Sequence, residues 1–389
     1  MEHLSSFFTL PHAPASGQEK NPFTLSRVFG TERHPRFNWG RPFAIFRDLI
    51  VKGRLRIGPL QIADFESSAR SDWQATLKEN GELPEATRAY LLDGLCPHYA
   101  WADGLSNYYS GLFRSSSLAI SLFSSLAVFV ALMGPLSDSL GLRLNRLPSL
   151  IEFALIAVVL TIMHFGRRQR WHERWLNYRQ LAERLRQYSY LAPLSCRLPT
   201  PQDLAHSSAD PHRSWVDAMF RAIARDVGMA PGRVDPKYVA SIGEIIDHLL
   251  VEQIRYHSSN HENMEKLNHR LHLAGIWLFA ITMMACIVHV FLGGEAPWLL
   301  LLATVPPAFG AGFYAIANQG EFARSGDRSQ AMAKELAQLK KKDLQKAVSS
   351  ADDSFTALRE VALRIAEIMI SETLDWNLVF RYRPLNLPG

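Results

Sequence analysis

The residues best equipped for chemistry fall on one predicted helix. His257 and His261 are four apart, with Glu262, Glu265, His269 and His272 further along, so one helix face could offer imidazole and carboxylate ligands to a metal. One helix rarely closes a coordination shell, and titratable side chains on a solvated helix are common, so neither a metal nor a cofactor is expected. The chain has no Gly-rich phosphate loop, no GxSxG, no HExxH and no dinucleotide fingerprint. Those motifs hold a phosphate, a serine nucleophile, a zinc ion or a dinucleotide, and without them no enzymatic activity is predicted. Cys96, Cys196 and Cys286 are far apart and lack CxxC or finger spacing, which argues against a disulfide framework or structural zinc and suits a reducing compartment.

A second set of polar residues lies inside long apolar runs. The chain is 48% hydrophobic with a mean hydropathy near zero, an average that conceals four apolar windows: 115–136, 147–165, 273–292 and 298–317. Each approaches the ~20 apolar residues a helix needs to cross ~30 Å of hydrocarbon. The second is the weakest, with Pro148 and Glu152 in its first turns. Polarity inside hydrocarbon is costly and usually faces protein or water. Ser117, Ser121 and Ser124 recur at helical spacing in the first window, and Thr282, Cys286 and His289 in the third. These stripes either join helices or line an aqueous path. In the fourth window Pro306 and Pro307 remove two backbone donors, while Gly310 and Gly312 admit a close neighbour. The expectation is a kink that serves as a gate or as a packing device.

The elements around these windows predict an all-α integral membrane protein: four transmembrane helices as two hairpins, extended by long amphipathic cytoplasmic helices, with a small irregular N-terminal region. Residues 1–83 form a basic, partly disordered N-terminal region, and 53–65 is its one stretch of strand-like alternation. Residues 84–192 form a first hairpin unit with its stalk, 193–240 a soluble middle section, 241–347 a second hairpin unit with stalk, and 348–389 a C-terminal helix and extended tail. Before the first window, Tyr99, Trp101, Tyr108, Tyr109 and Phe113 read as an aromatic belt at a membrane surface. After the second, Trp171, Trp175, Tyr178, Ala182 and Leu185 mark the seam of a helix packed on a partner. Phe322, Ser329, Met332, Leu336 and Leu339 repeat that stripe after the fourth, and Phe355, Leu358, Ala362, Ile365 and Met369 form another. Asp235 and Pro236 supply the start of a helix that can run into the third window. Ala182-Glu183-Arg184-Leu185 and Ala333-Lys334-Glu335-Leu336 occupy similar places after their hairpins, which leaves an internal duplication open.

Basic residues set the expected orientation. Arg167, Arg168, Arg170 and Arg174 follow the second window, Lys266 and Arg270 precede the third, and Arg324 and Arg328 follow the fourth. Both termini and the middle section are therefore placed in the cytoplasm. Residues 1–23 lack a secretory signal pattern. Arg33, Arg36 and Arg41, with Arg167, Arg168 and Arg170, are the lipid-facing basic candidates. The basic, aromatic stretch 27–56 fits a membrane surface, a solvated face or nucleic acid, the last disfavoured because no recognition motif accompanies the charge.

The run Arg167-Arg168-x-Arg170-Trp171-His172-Glu173-Arg174-Trp175, followed by Tyr178-Arg179-x-x-Ala182-Glu183-x-Leu185-Arg186, resembles the SLATT group. These are two-transmembrane effector domains found beside nucleotide second-messenger synthases and nucleotide-sensing domains in bacteria. Gln319-Gly320-Glu321-Phe322 through Arg328-Ser329-x-x-Met332-Ala333 looks like the corresponding helix of a related architecture. The resemblance implies a bacterial inner-membrane effector that assembles into pores in conflict or defence systems. This chain departs from the group in carrying two hairpins and in lacking a recognisable nucleotide-sensing domain. The expected function is thus an oligomeric, pore-forming or channel-like effector gated by cytoplasmic helices, partnered by the bilayer, by further copies of itself and by a cytoplasmic sensor protein. The alternative is a non-conducting scaffold that recruits a cytoplasmic partner.

Overall fold

The computed structural model describes residues 32–33, 35, 37–55, 65–79, 83–139, 146–199, 211–292, 297–349 and 354–381. Among them the chain is all-helical, with no strand. Arg36, most of the strand-like 53–65 and the tail beyond residue 381 lie outside the described residues. Helix α1 (Arg41–Lys52) and α2 (Phe65–Glu79) precede a long element made of α3 (Glu85–Ala89), a π-helical stretch (Tyr90–Leu95) and α4 (Cys96–Ser139). Then come α5 (Leu147–Arg168), α6 (Trp171–Leu191), α7 (Pro211–Val227), α8 (Pro236–Leu292), α9 (Pro297–Gly320) and α10 (Phe322–Leu339). A second π-helical stretch (Lys340–Leu344), α11 (Gln345–Ser349) and α12 (Ser354–Arg381) complete the chain. Four helices are long and apolar enough to cross a membrane: the one ending in α4, α5, α8, and the one beginning in α9.

Local chemistry explains the boundaries. Pro236 opens α8 and the Asp235 carboxylate accepts the Tyr238 N–H at 2.8 Å, satisfying a donor that the first turn leaves free. Nothing interrupts α8 for 57 residues, roughly 85 Å at 1.5 Å per residue. Two breaks are of one kind. Arg170 (φ 53°) and Glu321 (φ 48°) both adopt the left-handed conformation, which non-glycine residues adopt at a cost of about 1–2 kcal/mol. Each ends an apolar helix and starts a polar one.

The two halves repeat at a fixed interval. Counting from Arg170 to Glu321 gives 151 residues, and the same interval separates the helix starts Glu85 and Pro236. It also relates the buried pairs Ala182 and Ala333, and Leu185 and Leu336. Hydrogen bonding repeats too: Arg170 N donates to Arg167 O and Arg174 N to Arg170 O, as Glu321 N does to Asn318 O and Ser325 N to Glu321 O. Even the local ion pair recurs with its signs exchanged, Arg170 with Glu173 and Glu321 with Arg324. In each half the incoming helix packs against both helices that follow it, α4 against α5 and α6, and α8 against α9 and α10.

The core follows from these seams. Trp175, Tyr178, Ala182 and Leu185 of α6 are buried in one continuous cluster with residues of α4. The stripe Leu358, Ala362, Ile365 and Met369 of α12 joins that cluster, packed on α6. The aromatic residues ahead of the first apolar window do not form an outward belt. Tyr99, Trp101, Tyr109 and Phe113 are buried, because α6 folds back along α4 and supplies aromatic partners: Phe113 stacks on His172 at 4.6 Å and Tyr109 on Tyr178 at 6.2 Å. Helix α1 is held against α4, where Gly40 meets Gly111 so closely that a Cβ on Gly40 would lie 2.5 Å from the Gly111 backbone. The Ser115 hydroxyl accepts the Phe43 N–H at 3.0 Å and donates to the Gly40 carbonyl at 2.8 Å. Gly40→Leu should therefore unseat α1, an overpacking cost of about 1–3 kcal/mol. Limited proteolysis of the purified protein should then cut within Arg41–Lys52 much faster than in the wild type; an unchanged rate would show that this contact does not hold the helix.

Candidate functional site

The polar residues predicted inside the apolar windows occupy two different environments. Ser121 is buried and Ser117 and Ser124 are half-buried. Their helix, α4, packs on α9, and the contact is close. A Cβ on Gly312 would lie 2.7 Å from Ser125 Oγ and 3.4 Å from the Ser121 carbonyl, and the Ser125 hydroxyl donates to the Ala308 carbonyl at 2.9 Å. Small residues and a hydroxyl thus join the two halves, with Ser125, absent from the predicted stripe, making the hydrogen bond. By contrast, Thr282 is half-buried while Cys286 and His289 are exposed. Only 6% of the apolar stretch of α8 is buried, against 17% for α5 and 28% each for the first and fourth.

The proline and glycine candidates sit in one helix. α9 continues through Pro306 and Pro307, with Pro306, Gly310 and Gly312 buried. Gly310 faces Phe279 of α8 and Gly312 faces α4, so each glycine admits a different neighbour. Among the basic candidates, Arg33, Arg167 and Arg168 are exposed, and Arg41 and Arg170 are half-buried.

Just beyond the polar ends of the apolar helices, buried charge gathers at two points. The first is Glu32. Its carboxylate accepts from Arg174 Nη1 at 2.6 Å, from the Tyr178 hydroxyl at 2.6 Å and from the Tyr109 hydroxyl, and its carbonyl accepts from Trp101 Nε1 at 2.9 Å. One residue from the N-terminal segment thereby ties α4 to α6. The second is Glu183, nearly fully buried, held by Arg179 at 2.7 Å and Arg186 at 2.8 Å. Arg186 also donates to the Tyr99 hydroxyl at 2.6 Å. Burial alone would raise the Glu183 carboxyl, but Arg179 and Arg186 outweigh it and hold the carboxyl below its usual range.

His257 of α8 faces this second cluster. It is 5% exposed, and neither ring nitrogen has a hydrogen-bond partner among the described residues. Burial, reinforced by Arg179 and Arg186 against the pull of Glu183, brings its pKa down to about 4. Glu372 of α12 lies within the same field; burial, opposed by Arg179 and reinforced by Glu183, raises its carboxyl. His261, the other half of the predicted metal pair, is used between helices: Nδ1 lies 3.0 Å from the Gly326 carbonyl and Nε2 3.2 Å from Gln330. Among the described residues no three His, Cys, Asp or Glu side chains gather around a point that could hold a metal. The arrangement joins helices and shifts the titration of Glu183, His257 and Glu372 within it.

Sequence reasoning missed Glu32, Glu183 and His257 as an ensemble. Glu183 carried a signal, a lone acid among Arg179, Arg184 and Arg186; Glu32 carried none, since its partners are more than 60 residues away.

Two tests follow from this geometry. Glu32→Ala removes the carboxylate that Arg174, Tyr109 and Tyr178 share, and breaking a largely buried pair costs about 3–5 kcal/mol, so thermal unfolding in detergent should shift clearly downward. For His257, the folded pKa lies below the unfolded one, so its contribution is present above about pH 6.5 and is lost as pH falls toward 4. His257→Phe should flatten the fall in unfolding temperature between pH 6.5 and 4, and an identical pH profile in wild type and variant would refute the assignment. Comparison of the chain with known protein families, with curated proteins and with solved structures finds no match in any of the three.

Proposed function

We propose that the protein is an oligomeric, pore-forming or channel-like effector of a bacterial inner membrane, built from two transmembrane hairpins and gated by its cytoplasmic helices. The observation that carries this reading is the nakedness of the third span. Only 6% of its apolar stretch is buried, yet it bears Thr282, Cys286 and His289, the last two exposed. Thr282 donates its hydroxyl to the Leu278 carbonyl of its own helix at 3.1 Å, but hydrocarbon around a single chain would leave the exposed Cys286 and His289 facing lipid. A further protomer, or a hydrated path between protomers, supplies a polar neighbour or water. Four helices are too few to enclose such a path, so several chains must contribute.

The exposed Arg167 and Arg168 after the second span support the cytoplasmic placement of both termini. Coupling to a signal draws on α4 and α8, each of which continues from the bilayer into the buried charge clusters around Glu32 and Glu183. The signal itself would come through a cytoplasmic sensor protein. Nucleotide signalling or defence is the context that the resemblance to the SLATT group suggests.

The alternative, a non-conducting scaffold whose helices recruit a cytoplasmic partner, draws on Ser121 and Ser125, which are consumed in packing within the chain. Reconstituted vesicles decide between the two. The channel reading expects ion flux from the wild type and, with membrane insertion unchanged, its loss when Thr282, Cys286 and His289 are replaced by Leu together. Flux that survives the triple replacement removes the role of these residues. A wild type that never conducts, together with a native mass of one or two chains, supports the scaffold.

A further inference from the structure

The 151-residue repeat makes one surface of this protein readable from another. Within the chain, α9 of the second half packs on α4 of the first. Ser121 and Ser125 receive Gly312 and Ala308 there, beside the half-buried Ser117 and Ser124. Stepping 151 residues along, the positions equivalent to Ser117, Ser121, Ser124 and Ser125 are Asn268, His272, Gly275 and Ile276 on α8. These four positions line an open groove of about 700 Å³ between α8 and α9, together with Leu271 and Phe279. What is filled in the first half is empty in the second.

The element that fills it in the first half is the second apolar helix of the other unit. Its equivalent is α5, in which Ala157 stands for Ala308 and Thr161 for Gly312. α5 packs chiefly on α4 and keeps Thr161, Phe153 and Leu160 exposed. An even number of crossings separates the two units, so both run through the membrane in the same sense, and the step that relates them can be repeated by a neighbouring chain. Burial agrees: the first and fourth apolar helices, which meet inside the chain, are the most buried, while α5 and α8 are the least.

We infer that α5 of one copy of this chain seats in the α8–α9 groove of the next, a head-to-tail interface that continues the packing already present between the two halves. Ala157 then meets Ile276, and Thr161, whose hydroxyl donates to the Ala157 carbonyl of its own helix at 2.7 Å, comes beside the exposed ring of His272. Because Thr161 and Ile276 are larger than Gly312 and Ser125, the helices stand further apart there than α4 and α9 do. A heterologous interface of this kind uses two different surfaces per chain and closes into a ring when its rotation allows. The inference rests on the membrane-oligomer reading and specifies how that oligomer is built.

Cysteine pairing in native membranes tests it, using full-length chains in a Cys286→Ser background, where the remaining Cys96 and Cys196 are buried. One tagged population carries Ala157→Cys and another Ile276→Cys. Oxidation should join the two tags only when both are co-expressed, and both cysteines in one chain should give a ladder ending at the ring size. Self-pairing of Ile276→Cys alone would mean a two-fold interface and overturn the proposal. So would the absence of product from membranes in which the native mass still shows an assembly, since lipid would then fill the groove. A native mass of one chain would instead bring down the oligomer reading itself. Flux is scored separately, on the wild-type chain that keeps Cys286: paired cysteines with a wild type that does not conduct keep the seat and remove the channel, and conduction with a two-fold interface does the reverse. As a second variant, Gly275→Trp places a ring where a Cβ meets nothing within 4 Å; the single chain should keep its unfolding temperature while the assembly dissociates, and an undiminished native mass would overturn the inference.

Discussion

The break that ends each second apolar helix and starts a polar one in nearly the same direction constrains the packing of the polar segments that follow. A helix as long as α4 or α8 presents an uncovered apolar stripe beyond its continuously apolar stretch, and a second helix laid along it covers that stripe. The left-handed residues Arg170 and Glu321 make this possible by ending one helix and starting the next within a single residue. Their backbone cost of about 1–2 kcal/mol is small beside the seams they permit. In the first half, Trp175, Tyr178, Leu181 and Leu185 are all buried as a result, and each large apolar side chain contributes about 1.5–3 kcal/mol.

Charge is then used to lock what the seams bring together. The carboxylates of Glu32 and Glu183 each collect donors from more than one direction, Glu32 joining the N-terminal segment to α4 and α6, and Glu183 holding two arginines of α6, one of them bonded to Tyr99 of α4. Such pairs add little net stability compared with apolar packing but strongly penalise any arrangement that separates them. His257, neutral and with no hydrogen bond among the described residues, sits at the edge of the second cluster, so α8 approaches α6 through an uncharged ring. The apolar contacts set how tightly the helices pack, and the carboxylates select one register among the packed alternatives.

Much of this was legible in the sequence, for identifiable reasons. Hydrocarbon demands long uninterrupted apolar runs, so the four apolar helices stood out, including the one containing Pro148 and Glu152. Asp235 with Pro236 marked a helix start by local chemistry alone, and the stripes on α6, α10 and α12 announced partner helices through their spacing. The aromatic residues from Tyr99 to Phe113 were misleading, because composition cannot distinguish a ring facing headgroups from one facing a folded-back helix. The repeat was hidden for a related reason. Its two copies share the positions of their helix starts and left-handed breaks while exchanging Trp171 for Phe322, Tyr178 for Ser329 and Ser125 for Ile276, substitutions that preserve a helix and erase identity. Ser125 escaped the predicted stripe because only its partner, on a helix 183 residues away, singles it out from Ser124.

Helix α8 has a mechanical consequence. It is a single rod of roughly 85 Å that begins at the capped Pro236, passes the His257 cluster and ends beyond His289. Stiff rods convert rotation into displacement in proportion to their length, so a tilt of one degree about one end moves the other by roughly 1.5 Å. A rearrangement at the capped end no larger than a change of side-chain rotamer would be magnified at the far end to the width of an atom or more. The same leverage runs in reverse, so a load applied near His289 is felt where α8 meets the buried carboxylates.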